Sequence, residues 1–145
     1  MEIWKDIEGF EGFYQISNLG RVKSLPRLVP FKQGMFRMTR ERILKNRVGS
    51  NGYGFVYLCK PKAKRQVLVH RLVAQAFIPN PLGLAIVNHK DENPLNCRVE
   101  NLEWCTYKYN SNYGTCREKI GKHSREHPRP RNPLTGRFEP KQEKL

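Results

Sequence analysis

The chain has 145 residues, 38% of them hydrophobic, and a net charge of +14. That length carries one modest domain, or a small catalytic core with an appended binding element, and excludes two large domains. No apolar run approaches the roughly 18 residues of a membrane span, and the opening MEIWKDIEGF has neither region of a secretion signal, so membrane insertion is excluded and the cytoplasm is the expected compartment.

Residues 1–25 alternate Trp4, Ile7, Phe10, Tyr14, Ile16 and Val22 with turn residues, which predicts two short strands joined by a turn at residues 18–20. The style continues to residue 66, with strands at 43–44 and 54–59 and a hairpin turn at Asn51-Gly52, a pair that readily takes positive φ. Phe55, Tyr57 and Cys59 alternate with Val56 and Leu58, so that strand has no polar face and is expected to be covered on both sides. From Val67 the period changes: Leu68, Leu72, Val73, Ala76 and Phe77 predict a helix ending before Pro79. His70 and Arg71 lie on it, and His70 reads as a packed or phosphate-contacting residue.

Asn80, Pro81 and Gly83 then make a loop, 84–87 a strand, 89–101 a long loop and 102–106 a second strand backed by Ile86, Val87, Leu102 and Trp104. Thr106 is placed to cap a short helix over 107–113, with Gly114 just past its end. From Thr115 one more basic helical turn and then an extended tail are expected, because proline, glycine and charge dominate there. The predicted class is α+β: an antiparallel β-rich module over 1–66, a ββα core over 67–114 and an extended basic tail over 115–145.

Cys59, Cys97, Cys105 and Cys116 contain no C-x-x-C pair, so reduced thiols are expected rather than a zinc site. Charge is distributed unevenly. Between residues 21 and 75 fourteen basic residues face one acid, Glu41, whereas residues 76–106 are slightly acidic and residues 107–145 are basic again. Two cationic arms around an acidic centre suit a protein that grips a polyanion and leaves room for a cation in the middle. Phosphate contacts are expected from Arg21, Lys23 and Arg27, from Arg37, Arg40, Arg42, Lys45 and Arg47, from Lys60, Lys62, Lys64, Arg65 and Arg71, and in the tail from Arg125, Arg129 and Arg131.

The segment VNHKDENPLNCRVENLEWCT carries the chemistry. Phosphodiester hydrolysis needs a deprotonated water and a cation against the charge that grows at phosphorus. His89 titrates in the right range to accept the proton. Asn101, at the far end of the loop, either accepts from a ring nitrogen of His89 or pins the loop backbone; both routes aim the imidazole. Asn110 lies one turn into the helix after Thr106 and, with Asn88, offers carboxamide oxygens suited to Mg²⁺. Asp91 and Glu92, in HKDENP, read as turn-stabilising acids rather than ligands. Tyr107, Tyr109 and Tyr113 are candidates for base stacking or packing.

His89, Asn101 and Asn110 in this setting resemble the HNH (ββα-metal, His-Me finger) endonucleases, especially the free-standing and intron-encoded homing enzymes of phages. The segment EIWKDIEGFEGFYQISNLGRVKSL resembles the nuclease-associated modular motif at their N-termini, and VHRLVAQAFIPNP the helix before their HNH hairpin. The resemblance implies His89 as general base, Asn101 as the residue that holds loop and imidazole, and Asn88 and Asn110 as ligands of one divalent ion, Mg²⁺ with Mn²⁺ as substitute. It implies cleavage of double-stranded DNA to 5′-phosphate and 3′-hydroxyl ends, nicking by a monomer or double-strand cutting by a homodimer, in the cytoplasm of a phage-infected bacterium. Several members carry Asp in place of Asn88, and a neutral ligand holds Mg²⁺ less tightly. The helical DNA-reading module that often follows the core in such enzymes is not legible in residues 115–145. The competing class is a DNA-binding regulatory or packaging accessory protein with a degenerate core; an RNA-recognition signature is missing.

Overall fold

A computed structural model describes residues 1–128 and residue 135. The chain forms two compact units, Met1–Tyr107 and Lys108–Leu145.

The first unit opens with an antiparallel sheet in the order β1-β2-β3-β6, built from β1 (Trp4–Asp6), β2 (Tyr14–Ser17), β3 (Val22–Ser24) and β6 (Arg42–Ile43). Ile16 and Val22 face each other across β2 and β3 and are wholly buried. The turn between them needs Gly20, which sits at φ +80° where an added Cβ would lie 2.8 Å from Cβ of Cys97. Ser17 Oγ accepts from the N–H groups of Leu19 and Arg21 and closes the turn. Between β3 and β6 the chain leaves the sheet as a two-stranded ribbon, β4 (Leu28–Pro30) and β5 (Phe36–Met38), on which Leu28, Phe36 and Met38 are exposed.

A second sheet joins β7 (Arg47–Val48), β8 (Gly54–Lys60) and β9 (Ala63–Leu68). The Asn51-Gly52 turn falls in the β7–β8 connection, with Gly52 at φ +81°. Strand β8 departs from expectation: Val56 and Leu58 are buried, but Tyr57 and Cys59 face outward. The Arg47 guanidinium and the Lys64 ammonium lie over the Tyr57 ring, and Phe55 meets it edge-on, so the apolar alternation reflects these ring contacts rather than a second layer. Strand β9, AKRQVL, was hidden by its charge; it exists because it pairs with β8 over six residues.

Helix α1 (Val69–Phe77) supplies the centre of the core, with Val69, Leu72, Val73 and Ala74 buried against β2, β8, β10 and β11. Those last two strands, β10 (Ile86–His89) and β11 (Leu102–Cys105), form an antiparallel hairpin. The boundary expected between residues 66 and 67 therefore falls inside one compact unit: both sequence modules contribute to a single core, and a backbone bond from Val99 N to Asn18 O (2.9 Å) ties them. Strand β10 lies two residues later than expected, because Asn80 bonds both the N–H and the carbonyl of Leu84 and keeps that residue in a turn. As a result Asn88 and His89 belong to the strand.

Helix α2 (Tyr107–Asn112), which starts at the last residue of the first unit, ends before Gly114, which has φ +51°, and α3 (Cys116–Glu126) follows in the second unit. The basic helical turn expected after Thr115 is present but longer than one turn, and the extended tail expected to follow it begins no earlier than His127: eleven residues rich in Arg, Lys and Glu are helical, with a Lys122–Glu126 pair at i,i+4. Arg129, Arg131 and the remainder of the expected tail lie outside the described residues.

Candidate functional site

The β10–β11 register sets Asn88 opposite Glu103 and His89 opposite Leu102. Beyond His89 the loop is held by its own polar side chains. Asn101 Oδ1 accepts from Asp91 N (3.0 Å), and its Nδ2 donates to Asp91 Oδ1 (2.9 Å) and to Asn96 O (2.9 Å). Asp91 also accepts from Asn93 N (2.8 Å) and Asn96 Nδ2 (2.7 Å), and the donation from Asn96 leads in holding its carboxyl below the usual range. Lys90 N donates to Asn101 O (2.8 Å), closing the ladder immediately after His89. Of the two routes open to Asn101, the structure uses the backbone: its carboxamide pins the loop and makes no bond to the imidazole. Asp91 is a turn acid, as its neighbours suggested.

His89 is 6% exposed, and its Nε2 is buried without a hydrogen-bond partner among the described residues. Its ring centroid lies 5.0 Å from that of His70 and 5.8 Å from that of Tyr53, and the latter two are 5.0 Å apart. Burial pushes the His89 imidazole below its ordinary range, only partly opposed by Asp91. His70 goes further, to about 4, through burial first and then the neighbouring charges of His89 and Arg71; its Nδ1 is also without a partner. Both rings are therefore neutral near pH 7. Tyr53 was not singled out from the sequence, since nothing local marks a residue that meets His89 only through packing.

Asn88 is 6% exposed and its Nδ2 donates to Glu103 Oε1 at 2.8 Å. Glu103 is a second residue that sequence reading passed over; strand register was the signal needed. Asn110 is the fourth residue of α2, in the second unit, and is half-buried. Among the described residues no group of three or more His, Cys, Asp or Glu gathers as a metal site, and the four cysteines are free thiols, with Cys97 pushed up to about 11 by burial. The donors in the hairpin are thus carboxamide and carboxylate oxygens, which suit a hard cation that retains much of its water.

The expected phosphate-contacting residues divide by what they already bind. The Arg27 guanidinium donates to Phe13 O, Ser24 Oγ, Leu25 O and Tyr14 Oη, and Lys23 sits between Glu41 (3.6 Å) and the Trp4 ring, so both support the first sheet. Arg21 pairs with Glu2, Lys60 bonds Gly9 O, and Arg71 bonds Ala85 O. Arg37, Arg40, Arg42, Lys45, Arg47, Lys62, Lys64 and Arg65 are exposed on the ribbon and the second sheet or beside them, and Arg125 is exposed on α3. Tyr107 is 77% exposed.

Comparison with known proteins agrees with this layout. A family model of the NUMOD4 motif matches residues 2–59, and one of the HNH endonucleases matches residues 67–112. An uncharacterized HNH endonuclease of Acanthamoeba polyphaga mimivirus is 40% identical over 110 residues, 76% of this chain and 29% of that protein. The DNA endonuclease I-HmuI of Bacillus phage SP01 is 38% identical over 107 residues, 74% of this chain and 54% of that protein. The chain thus spans about half or less of these relatives. A solved structure on DNA binding and cleavage by the HNH homing endonuclease I-HmuI superposes with TM-score 0.62 at 34% identity, over 88% of this chain and 68% of that one.

Proposed function

Since this chain belongs to the HNH endonuclease family, we propose that it is a metal-dependent DNA endonuclease of the homing type, with a ββα-metal core formed by β10, β11 and α2. The observation that carries the reading is His89: a neutral imidazole with a bare, buried Nε2, on a strand end whose loop is pinned by Asn101. A base must be unprotonated at working pH, and burial favours the neutral form of His89. It takes the proton of a water that attacks phosphorus, while Asn101 keeps the loop from relaxing.

The carboxamide oxygens of Asn88 and Asn110 would hold one divalent ion, Mg²⁺ or in its place Mn²⁺. When bound, that ion supplies charge against the phosphate and the departing 3′ oxygen. For Asn88 the support is an amide N–H already committed to Glu103, which leaves its oxygen available; for Asn110 it is the position in the family pattern. Double-stranded DNA is gripped by the exposed cations from Arg37 to Arg65 and by Arg125, and by Arg129 and Arg131 beyond them. One chain has one such centre, so a monomer nicks and a homodimer cuts both strands. No described helix is long and apolar enough to cross a membrane, and the phage relatives favour a phage-encoded protein acting in the host cytoplasm.

The test is Mg²⁺-dependent nicking of supercoiled plasmid. His89→Ala lowers it by about 10²–10⁴-fold, the usual worth of general-base catalysis, and leaves DNA retention in a gel-shift assay unchanged. Equal cutting by the variant removes His89 from the mechanism, and no cutting by either protein favours a DNA-binding accessory role.

A further inference from the structure

Four acids lie between residues 76 and 106: Asp91, Glu92, Glu100 and Glu103. Asp91 is consumed by the loop, Glu100 pairs with Arg98 at 3.7 Å, and Glu92 turns the chain at φ +59°. Asp91 holds Asn101 through its carboxylate, and Glu103 is the acid whose carboxylate meets Asn88. It stands directly across the ladder from Asn88, and the two side chains meet at 2.8 Å on one face of the hairpin.

An asparagine is an ambiguous ligand, because its carboxamide presents either an oxygen or an NH₂ group, and only the oxygen serves a cation. A carboxylate resolves the ambiguity, since it accepts and never donates. Facing Glu103, Asn88 must offer Nδ2, which leaves Oδ1 on the opposite branch. A flipped amide would set two oxygens against each other at a residue that is 6% exposed, where little water is present to separate them. The bond is also charge-assisted, so it draws density toward Oδ1 and makes it the better donor. We infer that Glu103 is a positioning residue for the divalent-cation ligand Asn88: it locks the carboxamide with Oδ1 presented and returns, one hydrogen bond away, the negative charge that a neutral ligand lacks. This rests on the reading of Asn88 as a ligand.

The experiment uses the full chain, ¹⁵N-labelled, titrated with Mn²⁺ alone while the Asn88 side-chain amide signals are followed by NMR. In the native protein the Asn88 NH₂ pair is widely split and broadens at the lowest Mn²⁺ concentration. Glu103→Ala collapses the splitting and raises the Mn²⁺ needed by about tenfold or more, the range seen when outer partners of metal ligands are removed. Glu103→Gln, which preserves size and fold, raises it by a smaller factor. Asn88→Ala, followed through backbone signals of Leu102 and Glu103, raises it as well, and adding Glu103→Ala to Asn88→Ala raises it no further, because Glu103 acts through Asn88. If Asn88→Ala weakens Mn²⁺ while both Glu103 variants match the native protein, the positioning role is overturned and the ligand stands. If Asn88→Ala leaves Mn²⁺ binding unchanged, the ligand reading fails and the inference falls with it.

Discussion

The β10–β11 hairpin and the β4–β5 ribbon are both two-stranded antiparallel pairs, yet they are stabilised in opposite ways. The hairpin buries Asn88, His89 and Asn101 and satisfies Asn88 and Asn101 with partners at 2.8–3.0 Å. Residues 25–53, which contain the ribbon, include no buried residue, and the ribbon exposes Leu28, Phe36 and Met38 beside Arg37 and Arg40. A reacting imidazole must be aimed before substrate arrives, because reorganisation during the reaction would raise the barrier. A DNA-gripping arm needs only charge and shape, and DNA itself completes its contacts. On the proposed function, one element is preorganised for chemistry and the other awaits its partner.

The most severe way to break the comparison is Asn101→Ala. It removes three hydrogen bonds and strands the half-buried Asn96 carbonyl, so unfolding free energy falls by about 2–4 kcal/mol and metal-dependent nicking drops with it, both read on the same preparation by urea denaturation and plasmid assay. A loss of nicking at native stability would show that Asn101 acts on the chemistry directly.

A smaller effect concerns His70. Its folded value of about 4 lies below the 6.5 of an unperturbed histidine. Between those values the unfolded chain binds a proton that the folded chain refuses, so stability falls as pH drops from 6.5 toward 4 and is unaffected by His70 above 6.5. His70→Gln should reduce the stability lost between pH 7 and pH 5 by about 1 kcal/mol, allowing for the water the site admits; the residual loss belongs to His89. Identical pH slopes in thermal melts of both proteins would mean that His70 is not held neutral by the fold.

The least effect on stability, and the sharpest contrast, comes from the ribbon. Arg37→Ala and Arg40→Ala should each stay within about 0.5 kcal/mol of native stability, while lowering the slope of log affinity against log salt by about 1 apiece. An unchanged slope would remove the ribbon from the DNA-binding surface.

Much of this was legible in the order of residues. The spacing of His89, Asn101 and Asn110, the acid-poor stretch over residues 21–75 that precedes them and the helix over Val69–Phe77 are properties of local periodicity and composition. Strand β9 was not, because AKRQVL has a polar composition and becomes a strand only by pairing with β8. Helix α3 was legible only as a single basic turn, because its Arg, Lys and Glu residues show no apolar stripe to mark its length.

By itself, then, the sequence determined which chemical groups are available and in what order they come, since side-chain identity and short-range spacing are one-dimensional. Only the tertiary structure decided what each group faces. Register put Glu103 against Asn88, packing brought Tyr53 and His70 onto His89, and the shared core joined the two sequence modules in one unit. Such partners lie 15 to 36 residues away along the chain, and a hydrogen bond or a desolvated ring depends on distance through space, which spacing in sequence does not set.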